Sequence, residues 1–336
     1  MPARNAKDRL RAEPGSLPLE PREVPAGVIG LGLMGTSIIA CLLAAGHPVV
    51  AVTRSLRKHR NTRRQVRSFL AGMVREGFLK ESPTRIMPRF KVSEDFGDLR
   101  EARLVIESII ENLAVKREVI AKTEAVVSPE TVIGSNTSSL PITQLQAEAR
   151  HPERILGIHW GEPAHVLRFL EIICGQATRL ELAEWVAALA RRWGKEPSLV
   201  RRDIRGFITN RIMYAMLREA FYLVREGYAT IADVDRSFRN DYGFWATLAG
   251  PFRYMDLTGI PAYQAVMEGL FPELNCDTQV PALMREVVSS GARGIENAQG
   301  FYKYTPRQAK RWKRAFLEFS YEIRKLAAKY PEGFAD

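Results

Sequence analysis

A glycine-rich turn near the N-terminus constrains the fold more than any other feature of this sequence. Gly30, Gly32 and Gly35 form a G-x-G-x-x-G pattern that follows a short apolar run and precedes an apolar helical segment. Gly30 permits a tight turn, Gly32 lets the backbone approach a pyrophosphate, and Gly35 lets the helix pack against a sheet. The helix start, at Leu33 and Met34, would then present free N–H groups to the phosphates. The pattern therefore predicts a dinucleotide-binding unit.

Short apolar runs alternate with helical patterns through the first half of the chain, which is typical of a parallel sheet covered by helices. The predicted strands are 26–29, 49–53, 104–107, 131–134, 154–159 and 169–174, and the predicted helices between them are 34–45, 56–78 and 115–127. From residue 206 onwards most patterns are helical. We expect an α/β fold, a Rossmann-type doubly wound parallel sheet followed by an all-α domain. The predicted divisions are a loose leader (1–24), a dinucleotide-binding domain (25–203) and a helical domain for substrate binding and dimerisation (204–336).

Composition narrows the class of protein. The chain has 336 residues, enough for two ordinary domains, each with its own core. Its three cysteines, Cys41, Cys174 and Cys276, are widely spaced, which argues against a disulfide framework or a zinc site and for a reducing compartment. No apolar run reaches the roughly 18 residues of a membrane span. We therefore expect a cytoplasmic protein without a bound metal.

The positive charge of the chain is concentrated in one segment. The net charge is +11, and residues 54–80 hold nine Lys and Arg against one acid. Arg57, Arg60, Arg64 and Arg67 recur at helical spacing, so they are predicted to line one face of a helix. Such a face either holds a phosphate-bearing ligand or is simply solvated. Binding of nucleic acid is not expected, because no RNA- or DNA-reading motif accompanies the charge.

The residues that end the second predicted strand bear on the choice of cofactor. This position usually carries an acid that binds the ribose 2′-hydroxyl, but the chain has Thr53 and Arg54 there. Thr53 could bond a hydroxyl or a phosphate oxygen, and Arg54 could pair with a 2′-phosphate or face water. The cofactor is thus NAD or NADP, with a slight preference for NADP.

Three further motifs, taken with the glycine loop, carry a resemblance to a known family. They are residues 105–113 (VIESIIENL), 135–140 (SNTSSL) and 206–211 (GFITNR), and the match extends to residues 300–304 (GFYKY). In order and spacing the chain resembles the L-3-hydroxyacyl-CoA dehydrogenase family. The resemblance implies an oxidoreductase of fatty acid metabolism that uses NAD, acts on a (S)-3-hydroxyacyl-CoA, and dimerises through its helical domain.

The resemblance also implies a catalytic pair. In the family a His and a Glu lie 12 residues apart, as His159 and Glu171 do here. Hydride removal from a carbinol carbon requires a base for the hydroxyl proton, and imidazole titrates near neutral pH. A carboxylate on its other nitrogen would fix the tautomer and stabilise the imidazolium. A histidine packed in the core is the plainer interpretation of His159 without the family context.

Four other residues match family positions. Ser138 corresponds to a serine that contacts cofactor and substrate, and Asn210 to an asparagine that helps to hold the substrate carbonyl. Both side chains are suitable donors to a developing oxyanion; otherwise they are a helix N-cap and a polar helix residue. Glu111 and Lys116 match cofactor contacts near the nicotinamide, and they could instead form a solvated ion pair.

The chain departs from the family pattern beside the predicted base. The usual His-Phe-Phe-Asn-Pro becomes residues 159–163 (HWGEP), so Glu162 replaces an amide at a cofactor-binding position, and Glu296 replaces a cofactor-contacting lysine. An ionised carboxylate only accepts hydrogen bonds, whereas an amide also donates. The alternative to a CoA thioester is therefore a small non-CoA hydroxy acid or pyridine-type alcohol. A remote third possibility is an inactive homologue that binds a partner through its basic helix.

Overall fold

The computed structural model of the chain describes residues 17–57 and 60–331. The described residues form two compact units that divide between Asn210 and Arg211. We call them the sheet unit and the helical unit. Most of the predicted leader, residues 1–16, lies outside the described residues.

The sheet unit is built on an eight-stranded sheet in the order β3-β2-β1-β4-β5-β6-β7-β8. All neighbouring pairs are parallel except β6 and β7, which are antiparallel. The strands are β1 (Ala26–Ile29), β2 (Val49–Val52), β3 (Phe90–Ser93), β4 (Leu104–Glu107), β5 (Val132–Ser135), β6 (Ile155–Trp160), β7 (Phe169–Cys174) and β8 (Glu196–Val200). The strand order reverses between β1 and β4, where doubly wound sheets bind their ligands.

Six helices belong to the sheet unit. They are α1 (Leu33–Ala45), α2 (Thr62–Arg75), α3 (Pro83–Ile86), α4 (Leu113–Glu124), α5 (Ile142–Gln146) and α6 (Leu180–Arg192). Helix α1 is buried without interruption from Gly35 to Leu43, because its sequence is apolar on every side. The predicted fold, a doubly wound sheet followed by a helical domain, is confirmed.

Two strands escaped prediction for a shared reason. In β3 only Phe90 is buried, and in β8 only Val200 is. Neither strand therefore shows a continuous apolar run, and the apolar–polar alternation of β3 extends over only four residues. Their pairing with β2 and β7 is a tertiary effect.

The basic segment is only partly helical. Helix α2 begins at Thr62 rather than at the predicted residue 56, so Arg57 and Arg60 precede it, and the prediction of one continuous arginine face is wrong. The helix begins where buried residues begin to recur at helical spacing, at Thr62, Val66 and Leu70. No buried residue anchors the described part of the preceding segment, 54–57 and 60–61.

The helical unit contains seven helices in the described residues. They are α7 (Thr209–Arg225, whose first two residues close the sheet unit), α8 (Ile231–Asn240), α9 (Tyr242–Trp245), α10 (Pro251–Thr258), α11 (Ile260–Leu270), α12 (Ala282–Ser289) and α13 (Pro306–Ala327). Helix α13 starts at a capping box formed by Thr305 and Gln308. Among the described helices, none combines the length and the apolar character needed to cross a bilayer.

Little of the helical unit is buried. Within its described residues only Ala249, Ala309, Ser320 and Tyr321 are buried. Helix α13 carries an exposed apolar strip, which we call the α13 strip: Trp312 (56% exposed), Phe316 (56%), Phe319 (63%) and Leu326 (46%). Its members are four, three and seven residues apart, so they share one face of the helix.

Candidate active site

The glycine loop has the geometry that a dinucleotide pyrophosphate requires. Gly30 has a φ of +99°, and a Cβ built on it would lie 2.3 Å from the carbonyl oxygen of Ser108. A Cβ on Gly35 would lie 1.9 Å from the carbonyl oxygen of Gly30, whereas one on Gly32 would meet nothing within 4 Å. Helix α1 starts at Leu33 without a side-chain cap, so its first N–H groups are left for a ligand.

The end of β2 lies beside this loop. The Oγ1 of Thr53 accepts a hydrogen bond from the backbone N–H of Ser55 at 3.3 Å, and Thr53 itself is buried. Arg54 is exposed at the same strand end. Of the two residues Arg54 carries the charge, and its exposure leaves it accessible to a ligand.

His159 and Glu171 face each other across the antiparallel pair of β6 and β7. Their Nδ1 and Oε2 atoms lie 2.7 Å apart, and both side chains are almost fully buried. Because an ionised carboxylate only accepts, Nδ1 carries the proton and Nε2 holds the lone pair. Nε2 has no hydrogen-bond partner among the described residues. His159 is therefore held in the tautomer and orientation of a general base.

The second oxygen of Glu171 fixes the start of helix α7. Oε1 accepts the backbone N–H groups of Ile208 at 3.0 Å and Thr209 at 2.9 Å. The chain enters this turn through Gly206 and Phe207, whose φ values of +82° and +52° lie in the left-handed region. Phe207 is not a glycine, so its backbone is strained, as is common at functional sites.

The environment of Glu171 keeps it ionised. Burial alone would raise its pKa, but hydrogen bonds from His159 and from the amides of Thr209 and Ile208 hold the pKa of Glu171 below its ordinary value. A carboxylate that stays charged can stabilise an imidazolium when His159 accepts a proton.

Two aromatic rings enclose the imidazole. Phe169 meets His159 edge-on, with ring centroids 5.4 Å apart, and Phe207 lies 5.7 Å away at a tilt. Phe207 is fully buried. The rings contribute to the burial of the pair, and a hydrogen bond is electrostatically stronger in a buried environment. Sequence analysis missed both residues, although Phe207 stands within the 206–211 motif.

A second cluster positions Ser138. The Oε1 atom of Glu111 accepts hydrogen bonds from the hydroxyl of Thr137 at 2.6 Å and from the amides of Ser138 at 3.0 Å and Ser139 at 3.2 Å. The side-chain amide of Asn210 donates to the carbonyl oxygen of Ser138 at 2.7 Å. The Ser138 hydroxyl is exposed and has no partner among the described residues, so it is available to a ligand.

Lys116 lies beneath this cluster. Its Nζ is 2.8 and 3.0 Å from the two oxygens of Glu107 and 3.4 Å from Glu111, and its side chain is wholly buried. Lys116 therefore reaches the site through Glu111, whose pKa is held low. Burial opposes this shift, but the Thr137 hydrogen bond and the Lys116 charge outweigh it. Glu107 also accepts a hydrogen bond from the Ser135 hydroxyl at 2.5 Å. Sequence analysis missed this residue, although an acid at the end of an apolar strand could have indicated a functional position.

The two unusual acids lie in different units. Glu162 is exposed in the connection between β6 and β7, three residues after His159. Glu296 belongs to the helical unit, where its carboxylate is 4.0 Å from Arg293. The described residues contain no group of three or more His, Cys, Asp or Glu side chains arranged to hold a metal ion.

A glycine loop at the switch point of a doubly wound sheet, with a His–Glu pair on the same sheet, defines a nicotinamide-dependent dehydrogenase. The model of the 3-hydroxyacyl-CoA dehydrogenase NAD-binding domain matches residues 25–204, and that of the 3-hydroxyacyl-CoA dehydrogenase C-terminal domain matches residues 206–304. The chain belongs to the 3-hydroxyacyl-CoA dehydrogenase family and is an NAD(P)-dependent oxidoreductase.

Its relatives act on two kinds of substrate. The chain is 32% identical to a 5-formyl-3-hydroxy-2-methylpyridine 4-carboxylate 5-dehydrogenase of Mesorhizobium japonicum, over 84% of this chain and 91% of the relative. It is also 32% identical to a probable 3-hydroxybutyryl-CoA dehydrogenase of Deinococcus radiodurans, over 83% and 99%.

Solved structures divide in the same way. A crystal structure of the pyridine carboxylate enzyme, described as an NAD⁺-dependent dismutase, matches with a TM-score of 0.85 and 29% identity over 91% of this chain and 99% of that one. The (S)-3-hydroxybutyryl-CoA dehydrogenase of Ralstonia eutropha matches with a TM-score of 0.69 and 31% identity, over 84% and 99%.

Proposed function

We propose that this chain moves a hydride between the secondary alcohol of a (S)-3-hydroxyacyl-CoA and a nicotinamide cofactor, with His159 and Glu171 as the general acid–base pair. The observation that carries the proposal is the 2.7 Å contact between Nδ1 of His159 and Oε2 of Glu171, which leaves Nε2 as the free base. A buried imidazole with one nitrogen fixed and the other available is suited to reversible proton transfer.

The residues of the site divide the reaction between them. When bound, the cofactor would supply the hydride acceptor, and Gly32 with the uncapped start of α1 would hold its pyrophosphate. Nε2 of His159 removes the hydroxyl proton as the carbinol carbon loses its hydride, so a carbonyl forms. Glu171 stabilises the resulting imidazolium. The Ser138 hydroxyl and the remaining amide N–H of Asn210 are donors for the substrate oxygen.

The basic segment supports a CoA thioester. Arg57, Arg60 and Arg64 are exposed in or just before α2, and guanidinium groups are well suited to phosphate oxygens. The relatives named for 3-hydroxybutyryl-CoA extend over most of the chain, which also favours this substrate class.

A second candidate is a small pyridine carboxylate or hydroxy acid. The higher TM-score of the pyridine carboxylate enzyme favours it, since that match covers 91% of the chain. Glu162 favours it as well, because a carboxylate three residues from the base can accept from a ligand hydroxyl or ring N–H but cannot donate to a thioester carbonyl.

Direct assay distinguishes the two candidates. Acetoacetyl-CoA should oxidise NADH or NADPH in the presence of the protein, and 5-formyl-3-hydroxy-2-methylpyridine 4-carboxylate with NAD should give no signal. The reverse result would replace the first candidate with the second. Activity on neither substrate, in a protein that binds the cofactor, would contradict both. Comparison of NADH with NADPH in the same assay tests the slight preference for NADP.

We also propose a homodimer formed through the helical unit. The α13 strip and other large apolar side chains, including Phe244 and Phe252, are exposed in the single chain. Large apolar side chains exposed in this number favour an interface with another chain. A second copy is the favoured occupant, since a two-fold interface buries the same surface on both chains.

A further inference from the structure

Strand β6 carries His159 beyond the end of its backbone pairing with β5. That ladder ends with Ser135 opposite Gly157, whereas β6 continues to Trp160. On its other side the strand remains paired with β7 through Trp160. The backbone N–H of Trp160 therefore needs an acceptor that the β5 backbone does not provide.

The side chain of Asn136 provides that acceptor. Its Oδ1 accepts from the backbone N–H of Trp160 at 3.0 Å, and its Nδ2 donates to the Ser108 hydroxyl at 3.1 Å. The backbone N–H of Asn136 donates to the carbonyl oxygen of Glu107 at 2.7 Å. One residue thus ties together the ends of β4, β5 and β6.

Ser108 connects Asn136 to the glycine loop. Its backbone N–H donates to the carbonyl oxygen of Ile29 at 2.8 Å. Its carbonyl oxygen packs so closely against Gly30 that a Cβ there would lie 2.3 Å away. The side-chain amide of Asn136 is therefore bonded to Trp160, which follows His159, and to Ser108, which packs against the glycine loop.

We propose that Asn136 is a positioning residue that fixes His159 relative to the cofactor loop. The inference rests on the proposed function, because it assigns a geometric role to the neighbour of the proposed base. An amide suits this place because it accepts from Trp160 and donates to Ser108 at once. If His159 is poorly positioned, kcat should fall while cofactor affinity is kept. A misplacement of about 1 Å lowers turnover roughly 100-fold.

The first test is Asn136→Ala beside Ser108→Ala. Asn136→Ala should lower kcat roughly 100-fold while leaving the Kd for NADH near that of the unchanged protein, and the Tm should fall by only a few degrees, because the Trp160 amide loses its acceptor. It should also speed amide hydrogen exchange at Trp160, a readout that needs no turnover. Ser108→Ala removes only the Nδ2 partner, so Trp160 should stay protected and kcat should fall about fivefold, the value of one neutral hydrogen bond.

A second variant separates positioning from a general structural role. Asn136→Asp retains the acceptor for Trp160, so the Trp160 amide should remain protected from exchange. The added anion favours the protonated imidazole, so the rise of kcat with pH should move to higher pH. A kcat in Asn136→Asp as low as that of Asn136→Ala, with the Trp160 amide still protected from exchange, would overturn the proposal.

Two further results distinguish failure of this inference from failure of the proposed function. If Asn136→Ala keeps its kcat, or loses it only in proportion to a loss of Tm or NADH affinity, Asn136 is a structural residue and the inference fails. If His159→Gln retains turnover, the proposed function itself fails. An inactive His159→Gln beside a fully active Asn136→Ala overturns the inference alone.

Discussion

The sheet unit and the helical unit handle their apolar side chains in opposite ways. In the sheet unit α1 is buried on every side, and each β-strand from β4 to β7 has at most one residue that is not fully buried. In the helical unit only four described residues are buried, and aromatic side chains such as Phe244 and Phe252 are more than three-quarters exposed. The sheet unit thus buries most of its apolar side chains, whereas the described part of the helical unit leaves many of its large ones exposed.

The difference suits a division in which the sheet unit holds the candidate site and the helical unit forms the proposed dimer. The glycine loop, the His159–Glu171 pair and the Ser138 cluster are all built from residues of the sheet unit, up to Asn210. Variants in one unit should therefore change one property and spare the other, and each prediction below tests that separation.

The largest effect is expected for His159→Gln. Removal of the base should lower kcat roughly 10,000-fold, with the cofactor Kd and the sedimentation coefficient unchanged. Stopped-flow kinetics, NADH fluorescence titration and sedimentation velocity measure the three properties. His151→Gln, a histidine of the same unit outside the site, serves as the control and should remain active. Normal turnover of His159→Gln would refute the mechanism.

The next effect concerns the helical unit. Phe316→Glu with Phe319→Glu places charges in the α13 strip and should weaken the dimer by about 4 kcal/mol, since buried aromatic anchors contribute about 2 kcal/mol each. Sedimentation equilibrium measures the dissociation constant. NADH binding by the sheet unit should survive. The control is Glu318→Gln, an exposed position away from the strip. An unchanged dimer in the double variant would mean that the strip faces solvent.

A third prediction concerns the pH stability of the sheet unit. His47 is wholly buried; its Nδ1 donates to the Val24 carbonyl at 2.7 Å, and its Nε2 accepts from Trp193 at 2.7 Å. Burial lowers the pKa of His47 to about 4 from 6.5. As the pH falls from 6.5 to 4, the unfolded chain binds a proton that the folded chain does not. Stability should therefore fall by about 3 kcal/mol across that window.

Urea unfolding at several pH values, monitored by tryptophan fluorescence, checks this expectation. His47→Gln keeps a neutral donor and acceptor but cannot titrate, so its stability should vary less over the same window. Equal pH dependence in both proteins would show that other groups cause the acid sensitivity.

The smallest effect is expected for Arg54→Asp. If Arg54 pairs with a 2′-phosphate, reversal of its charge should lower kcat/KM for NADPH relative to NADH by about tenfold, or about 1.4 kcal/mol. Steady-state kinetics with both cofactors measures the ratio. Arg57→Asp, three residues along the same basic segment, is the matched control. An unchanged ratio for Arg54→Asp would mean that Arg54 faces solvent.

Features that depend on local chain geometry could be predicted from the sequence. The turn at Gly30 could be predicted because its left-handed backbone conformation favours glycine. The strands β1, β4 and β7 could be predicted because each is a mainly apolar run. The pairing of His159 with Glu171 was predicted through the family resemblance, and the register of β6 and β7 places the two residues opposite each other.

Features that depend on packing or bonding with residues elsewhere in the chain could not be predicted from the sequence. The burial of the Lys116 ammonium against Glu107 was not predicted, because the sequence showed no sign that Glu107 would pair with it. The start of α2 at Thr62 depends on which residues pack against the sheet. The bonds of Asn136 join strands 24 and 28 residues away, and no local pattern encodes them.

The two carboxylate oxygens of Glu171 have different partners, and this affects what its presence in a related chain indicates. One oxygen serves His159, and the other holds the first amides of α7. A descendant that abandoned dehydrogenation would still need this carboxylate, because its loss leaves two amides without an acceptor. Selection on folding alone would therefore retain the acid long after the reaction was gone. Among relatives of uncertain activity, the histidine at position 159 is the informative residue, and the glutamate is not.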